Sequence, residues 1–384
     1  MHPDDPRIRK FLAAALRKDV VPWPPAWAGP QAIDAAGHGA IFHGVGGLLV
    51  EQDRVSPTWP ERFIDLLRNE ARARAMWELR HRQLLTEVLA NFAEQATPCL
   101  IMKGTAVAYD LYPNPSARSR GDTDLLVDLP DVAAAKALLA ELGYVGGVLG
   151  GVTSEFSLQQ VWIRSLPDGG YHTIDLHWQV MNAPSLRDVL KFADCWAHSR
   201  PLPRLSPKAR TMDPVRLMIH TCLHRAMQCN AAYVVDGATY FDPWRLIWLW
   251  DIHLMAQAFG ERDWSTFLLL TGEMGVSRPC LDALQAVHAD FGTEVPVDVK
   301  MGLERAAAGQ RLSPYFVRSP ALVRAWHDVR SVAGVPKKLR YMLSRVVTTE
   351  QFLRGKYPGG ANLPLPLLYG RRLFDLVWRK PNAD

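Results

Sequence analysis

The run Gly121-Asp122-Thr123-Asp124-Leu125-Leu126-Val127 constrains the fold of this chain more than any other feature. Leu125, Leu126 and Val127 favour a strand. Side chains two apart in a strand share a face, so Asp122 and Asp124 project together from one edge of a sheet. Two converging carboxylates repel each other unless a cation lies between them. Oxygen ligands of this kind suit Mg²⁺ or Mn²⁺, ions that commonly also hold substrate phosphates. Upstream, Pro98-Cys99-Leu100-Ile101-Met102 reads as a short buried strand that runs into Lys103-Gly104 and a helical stretch from Thr105 to Leu111. A strand, a glycine turn and a helix N-terminus make an anion site, and Lys103 adds a full charge. Arg118 and Arg120 stand just before the carboxylate strand, where they could clamp a phosphate. An anion site followed by a carboxylate pair is a layout for phosphoryl or nucleotidyl transfer. A lone D-x-D is more often a turn or a cap, but the Lys-Gly turn before this one and the apolar strand after it favour a metal site.

A second strand supplies a third carboxylate. After the turn signal Pro167-Asp168-Gly169-Gly170, residues 171–180 alternate, with His172, Ile174, Leu176 and Trp178 on one face. Thr173, Asp175, His177 and Gln179 fall on the other. His177 then either orients Asp175 or the acceptor, or is a polar residue on an open sheet face.

The surrounding sequence is helical, and the fold class is α+β. Residues 1–96 read as a helical N-terminal region, interrupted by a Pro-Trp loop at Val21–Trp27. Its longest piece runs from Pro60 to Ala96, with apolar residues three to four apart. The arginines at 68, 72, 74, 80 and 82 read as a solvated face, some of which could reach phosphates. Residues 97–200 form a small α/β core, with a helix over 130–142 and strands over 144–149 and 155–163. Residues 201–384 return to helix. His220 and His224 lie one turn apart on the stretch from Asp213 to Cys229. The sequence H-T-C-L-H lacks the glutamate of a zincin, so a histidine pair packed against Asp251 is favoured over a metal site. A contact to the acceptor is a third reading. Trp244 and Trp248, at helical spacing, read as core.

Composition narrows the class. The 384 residues carry 44 basic and 39 acidic side chains, a net +5 that permits an anionic substrate but is not the footprint of a nucleic-acid binder. Five scattered cysteines with no CxxC pair argue for a reducing cytoplasm. No stretch reaches the ~18 apolar residues of a membrane span, and no membrane partner is expected.

The pattern LIMKGTAVAYDLYPNPSARSRGDTDLLV, with IDLHW downstream, resembles the uncharacterised bacterial nucleotidyltransferase family of the DNA polymerase beta superfamily. The resemblance covers residues 97–180 and extends weakly to the helices of His220, His224 and Asp251. It implies a two-metal displacement at the α-phosphate of an NTP, with ATP as the expected donor and two Mg²⁺ or Mn²⁺ ions. Asp122 and Asp124 would bridge both ions. Asp175 would bind the ion that activates the acceptor hydroxyl. Lys103 and the Gly104 backbone would hold the β- and γ-phosphates, while Arg118 and Arg120 would neutralise the leaving pyrophosphate. The family pattern implies a small-molecule or peptide acceptor. Lys103-Gly104 stands where most of the superfamily has Gly-Ser, which removes a hydroxyl that usually touches phosphate. Phosphoryl transfer and non-catalytic nucleotide or peptide binding are the rival functions. Because those two carboxylates repel each other, removing either is expected to cost activity and little stability.

Overall fold

The computed structural model describes residues 5–17, 21–147, 156–230, 233–235, 238–240, 245–350, 353, 354, 357 and 363–378. Four helices come first: α1 (Pro6–Leu16), α2 (Pro30–His43), α3 (Gly46–Glu51) and α4 (Glu61–Glu94). The Asp5 side chain accepts from the Arg7 amide and caps α1. Gly44 ends α2 at φ +70°, a backbone conformation that favours glycine. The Pro-Trp loop is not wasted sequence. Trp23 and Trp27 pack edge-on to Phe11 of α1, and Trp59 and Phe63 close the same cluster.

The sheet follows. Its strands are β1 (Cys99–Ile101), β2 (Thr123–Val127), β3 (Val145–Gly146), β4 (Gln159–Ser165), β5 (Tyr171–His177), β6 (Arg200–Pro201) and β7 (Arg210–Thr211). They lie in the order β3-β4-β5-β2-β1-β7-β6. β2 runs parallel to β5 and antiparallel to β1, so the two aspartate-bearing strands are neighbours at its centre. The helices α5 (Lys103–Leu111), α6 (Val132–Glu141) and α7 (Phe192–Ala197) are interleaved with the strands. The chain is thus α+β with a mixed sheet, as the alternation of patterns implies. Residues 148–155 of the two strands expected around them lie outside the described residues.

Beyond the sheet come α8 (Pro214–Met227), a short hairpin of β8 (Tyr233–Val235) and β9 (Ala238–Tyr240), α9 (Leu246–Ala258), α10 (Glu261–Glu273), α11 (Ser277–Phe291) and α12 (Val297–Ala308). The last helices are α13 (Ala321–Ser331), α14 (Val335–Val346) and α15 (Leu365–Trp378). One continuous apolar core runs from Ile8 of α1 through the sheet to Ala307 of α12. Trp248 is part of that core, whereas Trp244 lies outside the described residues. All five cysteines are unpaired. Among the described residues no helix is long and apolar enough to cross a membrane.

Candidate active site

The site is built on the register of two strands. Asp124 of β2 lies directly beside Asp175 of β5 in the parallel ladder. Paired residues of neighbouring strands share a face, so the two carboxylates meet by construction. His177, two residues along β5, falls on that face too. Its Nε2 stands 2.9 Å from Asp124 Oδ1 and 3.2 Å from Asp175 Oδ2. His177 is fully buried, so the open-face reading of this residue is wrong and the orienting reading has the geometry. Gln159 of β4 donates from Nε2 to Asp175 Oδ2 at 2.7 Å. Ligand atoms of Asp124, Asp175 and His177 all lie within 4.8 Å of one another.

Lys103 completes the cluster from the other direction. It is non-glycine, yet its φ is +50°, in the left-handed region. Such a conformation costs on the order of 1–3 kcal/mol and persists only where its surroundings hold it. Here the ammonium is ion-paired with Asp124 Oδ1 and lies 3.5 Å from His177 Nε2. The sequence expectation placed Lys103 on substrate phosphates. The structure puts its charge on a carboxylate, because a buried carboxylate needs a counter-charge close by.

The charges follow from this arrangement. Burial pushes the Asp124 carboxyl up, but Lys103 and His177 outweigh it and hold the group far below the usual carboxylate range. Burial and Lys103 push His177 down, and Asp175 and Asp124 more than reverse this, so its net shift is upward. Asp122 sits just before β2 and keeps solvent contact at the mouth of a pocket. Crowding by the protein nevertheless pushes its carboxyl up to about 6, with the charge of Asp124 adding to the shift.

The pocket has a volume of about 410 Å³. Lys103, Gly104, Asp122 and Asp124 line it together with His224, Arg245, Trp248 and Asp251. Arg74, Arg118 and Arg120 also reach it, so five cations and three carboxylates line the space. Arg74 belongs to the arginine-rich α4, and it is the member of that series found at the pocket. An excess of positive charge in a cleft suits a polyphosphate.

Two expected phosphate clamps are already engaged. Arg118 Nη2 donates to Asp251 Oδ2 at 2.6 Å, and both groups are buried. Its guanidinium lies against the first turn of α5, where a Cβ on Gly104 would come within 2.5 Å of it. Arg120 pairs with Glu78 Oε2 at 2.5 Å and donates to the Pro115 and Arg118 carbonyls. These partners lie 133 and 42 residues away along the chain and leave no local sign in the sequence.

The histidine pair on α8 also differs from expectation. Asp251 accepts from Tyr112 Oη at 2.7 Å and from Arg118, so it is Tyr112 and Arg118 that bind this carboxylate. His224 meets Gln228 at 3.0 Å and packs edge-on to Trp248 at the pocket wall. His220 is buried, and burial pushes it down to about 3, with Lys103 adding to the shift. Among the described residues neither histidine belongs to a cluster of three metal ligands. Gln159 escaped the sequence reading, although the turn at 167–170 fixes a hairpin register that sets it opposite His177.

The residues fit a divalent cation. Asp175 Oδ1 is buried and has no hydrogen-bond partner, and neither has His177 Nδ1. A buried carboxylate oxygen without a donor is costly in a folded protein, and a cation would satisfy it. Two carboxylates are donors that both Mg²⁺ and Mn²⁺ accept, and the imidazole beside them holds their spacing. A comparison with curated proteins finds no match. The model of the uncharacterised nucleotidyltransferase family matches residues 30–292, which is more than half of the chain and includes the whole cluster and pocket, and the chain belongs to that family.

Proposed function

We propose that this nucleotidyltransferase moves a nucleotidyl group from an NTP, with ATP the first donor to test, to a hydroxyl of a small-molecule or peptide acceptor. The reading rests on one observation: a buried pair of registered aspartates, one oxygen of which lacks a partner, beside a pocket with an excess of positive charge. Asp124 and Asp175, with Asp122 at the mouth, would hold Mg²⁺ or Mn²⁺. Bound there, the ions would supply charge neutralisation at the phosphates and an acidified acceptor hydroxyl.

The rest falls to the chain's own groups. The N-terminus of α5 and the guanidinium of Arg118 would receive phosphate oxygens across the glycine surface of Gly104. Arg74, Arg120 and Arg245 would add to the positive field in which the negative donor settles. Asp175 would bind the ion that activates the acceptor hydroxyl and would also serve as its base. His177 holds Asp124 and Asp175 at a fixed spacing through one nitrogen. The acceptor would enter the same pocket beside His224 and Trp248. Phosphoryl transfer differs only in which phosphorus is attacked, and product analysis separates the two.

The test is calorimetric titration of the four NTPs, with Mg²⁺ and then with EDTA. Cation-dependent binding of one NTP supports the proposal and names the donor for an acceptor screen by mass spectrometry. An acceptor gaining the mass of a nucleoside monophosphate confirms nucleotidyl transfer. One gaining a phosphate alone replaces it with the kinase-like reading. A folded protein that binds no NTP with or without the cation, and whose Asp175→Asn variant also behaves as wild type, sinks it.

A further inference from the structure

The family match ends at residue 292, and the chain beyond it has a different character. Residues 311–384 carry 14 Lys and Arg against four Asp and Glu, while residues 1–310 carry 30 against 35. The net charge of +5 therefore hides an acidic body and a strongly basic last fifth.

Three helices of this segment show apolar side chains to solvent. On α13, Leu322, Val323 and Trp326 lie on one face with Arg330, and Trp326 is 62% exposed. The opposite face is anchored. Asp328 is fully buried and accepts from Ser185, Tyr315 and Tyr341. On α14, Val335, Leu339, Met342 and Leu343 form a stripe at helical spacing, with Leu343 60% exposed. Lys338 and Arg340 flank that stripe, and Tyr341 and Ser344 face inward. On α15, Leu367 and Phe374 are exposed with Arg371 between them, while Leu368 packs inward on Leu353 and Tyr357. A helix in a globular protein usually turns its apolar stripe to the core. Here the inward faces are held by Asp328 and by small apolar clusters around Val329, Tyr341 and Leu368, and a second apolar stripe on each helix looks outward.

We infer that α13, α14 and α15 form a peripheral docking surface for an anionic lipid bilayer. Helices that lie in the interface of a bilayer combine a stripe of Leu, Phe and Trp with Lys and Arg along its borders. Basic groups near an anionic surface add an attraction that salt screens. The alternatives fit less well. Nucleic acid rewards the charge but not a stripe of Val, Leu and Met. A second copy meeting this face with its own would set basic groups against basic groups. Spanning is a different matter from lying on the surface, and none of these helices is long and apolar enough to cross.

Sedimentation of the full chain with vesicles tests this, using phosphatidylcholine alone and phosphatidylcholine with one-third phosphatidylglycerol. The expected result is binding to the anionic vesicles only, weakened by 0.5 M NaCl. Leu339→Gln/Leu343→Gln and Arg330→Glu/Lys338→Glu should each reduce vesicle binding at least about tenfold, with melting temperature and NTP binding unchanged. These side chains are exposed or, for Lys338, half-buried, so the variants are expected to fold. Three results overturn the inference: no binding to anionic vesicles, binding that neither pair of substitutions reduces, or a salt-sensitive oligomer in the absence of lipid that the same substitutions dissociate.

Discussion

Strand β2 carries two buried polar networks back to back, and they differ in one respect. On the face of Thr123 the chain of contacts closes. Thr105 Oγ1 meets Thr123 Oγ1 at 3.4 Å, and Thr123 meets His81 Nε2 at 3.2 Å. His81 Nδ1 meets His172 Nε2 at 2.9 Å, and His172 Nδ1 meets Tyr144 Oη at 2.7 Å. Among the buried atoms without a partner, none belongs to these five residues. On the other face Lys103, Asp124, His177, Asp175 and Gln159 are linked as tightly, yet Asp175 Oδ1, His177 Nδ1 and Gln159 Oε1 stay unpartnered. The histidines shift in opposite directions. Burial drives His81 well below its ordinary range and His172 down to about 4, whereas the aspartates raise His177. A network that satisfies itself braces the sheet. The open network leaves two buried oxygens and a ring nitrogen without a partner at the same depth.

The largest test of that contrast is Asp175→Asn. It keeps the shape and removes the charge beside the orphaned oxygen. Turnover should fall by at least about a thousandfold, as when a group that stabilises transition-state charge is lost. Calorimetry should show cation binding lost with it, while the melting temperature holds. Unaltered Mn²⁺ affinity in this variant would remove Asp175 from the site. Asp124 is less clean, and here the structure corrects the sequence reading. Asp124→Ala leaves the buried ammonium of Lys103 uncompensated, which costs about 3–5 kcal/mol. Asp122, at the mouth, is the member of the pair whose removal should spare the fold.

Lys103→Met breaks the open network from its cationic side. It leaves Asp124 and Asp175 adjacent with one charge fewer to hold them, at a cost of the same order, about 3–5 kcal/mol. A divalent cation should restore much of that loss, so Mg²⁺ or Mn²⁺ should raise the melting temperature more in the variant than in the wild type. Equal cation effects in both proteins would mean that the ammonium and the ion do not share Asp124.

The two networks were not equally legible. Two-residue spacing and strand alternation are local rules, and they pair Asp122 with Asp124 on one strand and Asp175 with His177 on another from sequence alone. The partners of Lys103, Arg118 and Arg120 depend on packing between elements far apart in the chain, and local pattern is silent about these. The closed network left no trace at all. His81 sits in a helix read for its arginines, and His172 lies 91 residues away on the strand face it shares with Ile174, Leu176 and Trp178.

The closed face predicts its own pH dependence. His172 stays neutral in the folded protein down to about 4, whereas in the unfolded chain it takes a proton near its ordinary 6.5. Between those values the unfolded state binds more protons, so stability falls as pH falls. The full span is worth about 3 kcal/mol. Urea melts at pH 7.5 and pH 5 should show the loss, and His172→Gln should flatten the slope. An equal slope in that variant would place the acid sensitivity elsewhere.

The smallest effect is expected at the end of the same chain. The Thr105–Thr123 contact is long for a hydroxyl hydrogen bond, so it contributes little. Thr105→Val should change stability by less than about 1 kcal/mol, because Thr123 keeps its bond to His81 and the new methyl group replaces the hydroxyl in a buried site. Turnover should match wild type, although Thr105 lies in the first turn of α5 and within two residues of Lys103. That proximity gives the measurement its force. Thr105 points to the closed network and Lys103 to the open one, and the strand between them should insulate the two. A fall in turnover with stability intact would show that the closed network positions α5 for the donor, and the two faces of β2 would then form one site.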